Sequence, residues 1–120
     1  MKNEMIKGYI DAIILSVLQD KDAYGYEITK VVNQSSDGAF ELKEGTLYPA
    51  LKRLEASGMI EGYWDERPSG PRRRYYRITP AGKGKLKESK ETWLKNAKVI
   101  HTFLGGLSYG GGRDLPEPNS

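Results

Sequence analysis

At Gly58 the spacing of apolar residues changes from helical to alternating. Before it, Leu47, Leu51 and Leu54 recur at steps of four and three, which places them on one face of a helix. After it, Ile60 and Trp64 share a parity within Met59 to Glu66, and Tyr76 and Ile78 share one within Arg72 to Thr79, as in strands. Arg67-Pro68-Ser69-Gly70-Pro71 between them is turn chemistry. The chain is therefore predicted to run from a helix, stopped by Gly58, directly into a hairpin. The leucine face of that helix must be buried by elements from the rest of the sequence.

Upstream, Ile6, Ile10, Ile13, Ile14, Val17 and Leu18 recur at helical spacing, and Ala12 and Leu15 widen the stripe, so Met5 to Leu18 reads as a central helix. Lys2 and Lys7 ahead of the apolar run Tyr9 to Leu18 imitate a signal peptide. Asp11 interrupts it, however, and Gln19-Asp20-Lys21-Asp22 stands where a small-residue cleavage site belongs. The run is also too short to cross a membrane. Asp22 is predicted to cap a second helix from about Ala23 to Ser35, with Ile28, Val31 and Val32 on its apolar face. Ser35-Ser36-Asp37-Gly38 ends it, and Phe40 and Leu42 suggest a short extended strip.

Thr79 and Pro80 read as the cap and first turn of a fourth helix. In it Leu86, Trp93, Ala97, Ile100, Leu104 and Leu107 follow the period of a coiled-coil seam once Lys90 is counted in register. A chain of 120 residues has little with which to cover such a seam, so a second copy is expected to do so. The tail, with Gly110-Gly111-Gly112 and Leu115-Pro116-Glu117-Pro118, is expected to be disordered. Cysteine is absent, so disulfides and thiolate metal sites are excluded, and a cytoplasmic location fits. The net charge of +3 says little by itself; its distribution matters more.

Pro49 lies among the leucines of the third helix, where a proline ought to break it. With Thr46 as the cap, Pro49 falls at the third helical position, where its missing N–H has no intrahelical partner to lose. At about 100° per residue, the outward and flanking positions are then Thr46, Tyr48, Pro49, Lys52, Arg53 and Ala56. Such a helix suits a DNA major groove: Lys52 and Arg53 donate to guanine edges or phosphates, and Thr46 and Tyr48 donate to phosphate oxygens. Ordinary surface cations and a half-buried tyrosine are the alternative. On the hairpin, Arg67, Arg72, Arg73, Arg74 and Arg77 cluster, and Gly70 between two prolines makes a tip narrow enough for a minor groove. The alternative here is a charged edge that discourages sheet-to-sheet association.

Three helices followed by a basic hairpin is a winged helix-turn-helix. The fold expected is mainly α with a small β-hairpin, plus one long C-terminal helix: residues 1–79 form the DNA-binding domain, 80–107 the dimerisation helix and 108–120 the tail. Double-stranded DNA is the expected partner. Tyr24, at the start of the second helix, and Lys30 are candidates for phosphate contact, with core packing equally open for Tyr24.

Several stretches resemble the PadR family of bacterial transcriptional regulators. They are Tyr24-Gly25-Tyr26-Glu27-Ile28, Gly45-Thr46-Leu47-Tyr48-Pro49-Ala50-Leu51 with Arg53-Leu54-Glu55, Gly58-Met59-Ile60, Gly70-Pro71-Arg72-Arg73, and Tyr75-Tyr76-Arg77-Ile78-Thr79-Pro80-Ala81-Gly82. A single long C-terminal helix is similar to the short subfamily that includes the lactococcal multidrug-responsive repressor. The resemblance implies a homodimeric repressor on a pseudo-palindromic operator, with the fourth helix packed on the partner. It also implies a small aromatic effector stacked on the last helix, where Trp93 occupies the matching place. Lys90, one turn earlier, departs from the apolar residue of that relative, and Trp93 as a plain seam residue is the other reading.

Neither a catalytic constellation nor a phosphate-binding loop context is present in the sequence, so an enzyme is not expected, and no cofactor is implied. His101 is the single histidine and has no ligand cluster around it, so no metal site is expected. The rival function is a winged-helix module for protein–protein contact.

Overall fold

A computed structural model describes residues 9–66 and 70–105. The first helix, α1, spans Ile10–Asp20 and buries Ile10, Ile14, Leu15 and Leu18. The start expected at Met5 lies outside the described residues. A short strand β1, Ala23–Tyr24, leads into α2, Gly25–Ser35. Helix α3 covers Glu44–Ala56, strands β2 and β3 cover Ile60–Asp65 and Arg73–Ile78, and α4 covers Pro80–Ile100. A π-helical segment, His101–Gly105, follows.

The three strands form one antiparallel sheet in the order β1-β3-β2. Its register sets Tyr24 opposite Tyr75, Tyr63 opposite Tyr75 from the other side, and Ile60 opposite Ile78. Because successive side chains alternate across a strand, Tyr76 and Ile78 turn to the core and Arg77 turns to solvent. The core joins these residues to Ile14, Leu15, Ile28, Leu42, Leu47, Leu51, Ile60 and Leu86.

Strand β1 corrects the expectation that Asp22 caps a helix beginning near Ala23. Pairing with β3 holds Ala23 and Tyr24 extended, and the helix starts at Gly25. Tyr24 takes the cap position, and its backbone N–H donates to the Glu27 carboxylate at 3.2 Å. Asp22 instead accepts a hydrogen bond from the Tyr63 hydroxyl at 2.5 Å. Phe40 and Leu42 form no strand either. Leu42 is buried in the core and its N–H donates to Asn33 Oδ1 at 2.7 Å, while the Ser36 hydroxyl bonds to the Phe40 backbone. Val31, expected on the apolar face of α2, is exposed beside that stripe.

Thr79 caps α4 as expected: its Oγ1 accepts the Gly82 N–H at 3.0 Å, and its hydroxyl donates to the Gly58 carbonyl at 2.7 Å. A Cβ on Gly82 would lie 2.1 Å from the Met59 carbonyl oxygen, so only glycine lets α4 start this close to β2. The chain divides after Leu86 into two compact units, which puts the division inside α4. No helix among the described residues is long and apolar enough to cross a membrane.

Candidate nucleic-acid interface

Helix α3 begins three residues earlier than its sequence suggests. Lys43 holds the cap position with extended backbone, and its carbonyl accepts the N–H groups of Thr46 at 3.0 Å and Leu47 at 2.9 Å. Thr46 is thus not the cap, and Pro49 lies inside the helix, in its second turn. The N–H that would answer the Gly45 carbonyl is therefore missing. Gly45 is exposed, so water can satisfy that carbonyl. Leu42, folded into the core ahead of the helix, helps anchor this earlier start.

The division between inner and outer faces of α3 is nonetheless the expected one. Leu47, Ala50, Leu51 and Leu54 are buried, and Thr46, Tyr48, Pro49, Lys52 and Arg53 are exposed. Two of the outward residues are tied to other elements. The Arg53 guanidinium lies 2.5 Å from the Asp11 carboxylate of α1. The Tyr48 phenol lies over Gly25, where a Cβ would be 2.3 Å from the hydroxyl oxygen. Partial burial, then the nearby Glu44 carboxylate, raises the pKa of Tyr48, so it remains a neutral hydroxyl donor.

On the hairpin the arginines divide by parity. Arg73 stacks on Tyr24 at 4.9 Å, and Arg77 stacks on Tyr63 at 4.8 Å, on the outer face. Arg74 turns the other way and meets Glu55 of α3 at 2.9 Å. Arg72, close to the tip, lies over Trp64 at 4.7 Å and reaches Glu66 at 3.4 Å. Trp64 keeps the parity of Ile60, but the core does not extend that far along the hairpin, and the indole is 48% exposed. Gly70 has φ +84°, which favours glycine at the turn. Arg67 lies outside the described residues.

The Tyr63 hydroxyl is pushed up to about 12 in pKa, chiefly because it donates a hydrogen bond to Asp22. Exposed ion pairs such as Arg53–Asp11 and Arg72–Glu66 contribute about 0–1 kcal/mol. A phosphate can therefore replace the carboxylate at little loss.

The structure brings Tyr24 beside Arg73, Tyr48 onto the start of α2, and Arg53 onto α1. Sequence reasoning missed Asp11 as the partner of Arg53, Gly25 as the seat of Tyr48, and Glu55 and Gly62 as the groups that hold Arg74. Of the four, only Gly25 carried a local signal, as a glycine between two tyrosines at a helix start.

Of the seam residues, Leu86 is buried in the core of the first unit, so it is not available to a partner. Trp93, Ile100 and Leu104 are exposed and Ala97 partly so. Leu107 lies outside the described residues. His101 belongs to the π-helical segment, and Lys90 is exposed.

The chain is 44% identical to a transcriptional regulator from Clostridium thermocellum, over 87% of this chain and 98% of that one, with a TM-score of 0.80. It is 47% identical to a PadR family transcription regulator from Clostridium difficile R20291, over 82% of this chain and all of that one, with a TM-score of 0.73. The transcriptional regulator Rv3488 of Mycobacterium tuberculosis is 34% identical over 100 residues, covering 82% of this chain and 86% of that protein. Residues 14–88 match the PadR-like transcriptional regulator family. With a winged-helix core, an outward α3 and an arginine-bearing hairpin in place, the chain belongs to the PadR-like family of transcriptional regulators.

Proposed function

We propose that this regulator is a homodimeric, cytoplasmic repressor that binds a pseudo-palindromic operator in duplex DNA and is released by a small-molecule signal. Helix α3 enters the major groove with Thr46, Pro49 and Lys52 leading, and the wing tip at Gly70 and Arg72 follows the minor groove. Tyr24 and Arg73, stacked together, and Tyr48 at the start of α2 donate to flanking phosphates. Arg53 exchanges Asp11 for DNA. The observation that carries this reading is the exposed face of α3, which bears Thr46, Tyr48, Pro49, Lys52 and Arg53 opposite a fully buried leucine face.

A second copy covers the apolar residues exposed beyond Leu86, namely Trp93, Ala97, Ile100 and Leu104. Free chains leave Trp93 46% exposed on that surface, which favours a planar aromatic effector stacked there in the dimer. Selection from a random duplex pool, followed by a salt titration on the enriched sequence, tests the function. A DNA-binding dimer enriches two related half-sites and shows log K falling steeply with log salt, by about 0.9 for each phosphate neutralised. No enrichment and a flat salt response would leave a protein–protein module in its place.

A further inference from the structure

We infer that Glu55, Gly62 and Arg74 form a clamp that sets the angle of the wing to α3, so that Arg74 acts as a positioning residue and not as a DNA contact. The inference rests on the DNA-binding reading above. One carboxylate oxygen, Glu55 Oε2, accepts both from Arg74 Nη2 at 2.9 Å and from the Gly62 N–H at 3.2 Å. Arg74 belongs to β3 and Gly62 to β2, so a single side chain of α3 holds both strands of the hairpin.

Gly62 makes the arrangement feasible. A Cβ at that position would stand 2.6 Å from Arg74 Nη2 and 2.7 Å from its Cζ, so the guanidinium lies directly against the Gly62 backbone. Trp64 at 5.5 Å and Tyr76 at 6.0 Å flank the same guanidinium. Glu55 also stands next to the last residue of α3, where the helix dipole disfavours a carboxylate unless a cation answers it. Arg74 answers it.

The wing and α3 are joined through Gly58, whose φ is +80°, and Met59. Two grooves are read together only if the angle across this joint is held, and the clamp spans it. Arg72 supplies wing charge; Arg74 supplies wing placement.

The experiment uses the full chain and its selected operator, with salt titration and hydroxyl-radical footprinting for wild type and for Arg72→Ala, Arg74→Ala, Arg74→Lys, Glu55→Gln and the exchange Glu55→Arg/Arg74→Glu. Arg74→Ala and Glu55→Gln should each weaken binding about tenfold and lose the minor-groove protection given by the wing. Major-groove protection should remain. Arg74→Lys, which keeps the charge but not the planar guanidinium that lies against the Gly62 backbone, should fall between. The exchange should recover only part of the affinity, because it restores the ion pair with the charges reversed but leaves the Gly62 N–H without its acceptor. Loss in Arg74→Ala with wild-type binding in Glu55→Gln would make Arg74 a direct phosphate contact and overturn the clamp.

Amide exchange in the absence of DNA supplies a separate arm, and thermal denaturation identifies any variant that does not fold. Glu55→Ala should speed exchange at Gly62 more than at Ile60, whereas equal rates with wild type overturn the clamp whatever the DNA result. Failure of wild type itself to bind duplex would instead strike the function proposed above.

Discussion

Gly25 illustrates how a residue with no side chain positions one that has a large one. The Tyr48 phenol occupies the space a Cβ would need, and its far end is free to swing aside. Gly25→Ala is therefore expected to displace Tyr48 rather than the backbone. Stability should fall by no more than about 1 kcal/mol, while DNA affinity drops to that of Tyr48→Ala; chemical denaturation and fluorescence anisotropy measure the two. Tyr63 gives a second test at this scale. Its folded pKa is raised from 10.0 to about 12 by the bond to Asp22, so the unfolded chain loses this proton first as pH rises. The contribution is full below pH 10 and is lost between pH 10 and 12. Urea titrations at pH 9 and pH 11 should show wild type losing more stability than Tyr63→Phe over that interval.

At the scale of elements, the strain in α3 has an identified position. Pro49 sits in the second turn and deprives the Gly45 carbonyl of its donor. Pro49→Ala restores that bond, against the entropy that proline removes from the unfolded chain. Since proline in a helix interior is about 3 kcal/mol worse than alanine, the balance should favour the variant. An increase on the order of 1 kcal/mol, or about 4–8 °C in Tm for a domain of this size, is expected in calorimetry. A lower Tm would mean that the entropy Pro49 removes from the unfolded chain outweighs the hydrogen bond it forfeits. The hairpin makes its own prediction: Arg72→Ala should weaken duplex binding whatever the sequence, and reduce the salt slope by about 0.9 for each wing engaged. An unchanged slope removes the tip from the interface.

Taken as a whole, the molecule contains one core and a helical extension with apolar residues left exposed. Leu86 closes the first unit, and Trp93, Ile100, Phe103 and Leu104 lie exposed in the second. A chain ending at Leu86 keeps every buried residue of the core. It should unfold cooperatively, yet sediment as a monomer and bind a single half-site weakly. A truncated chain that sediments as a dimer would place the interface on the winged-helix unit instead.

Local patterns in the sequence determined the four helices, the buried faces of α1 and α3, the hairpin, and the cap at Thr79. Each of these depends on residues within a few positions of one another, where periodicity and turn chemistry act directly. The resemblance to PadR regulators was legible for the same reason, since its motifs are contiguous. Tertiary structure alone decided what no local pattern encodes. Pairing of Ala23–Tyr24 with β3 moved the start of α2 from about Ala23 to Gly25. Burial of Leu42 accompanied an α3 that starts at Glu44, which changed the setting of Pro49. Asp11 and Glu55 selected which arginines are held and in which direction they point. Arg53 and Asp11 are 42 residues apart in the chain, and Arg74 and Glu55 are 19 apart. An ion pair at such a separation depends on how helices and strands pack, so an arginine written at the right place in a motif reveals its charge but not its partner.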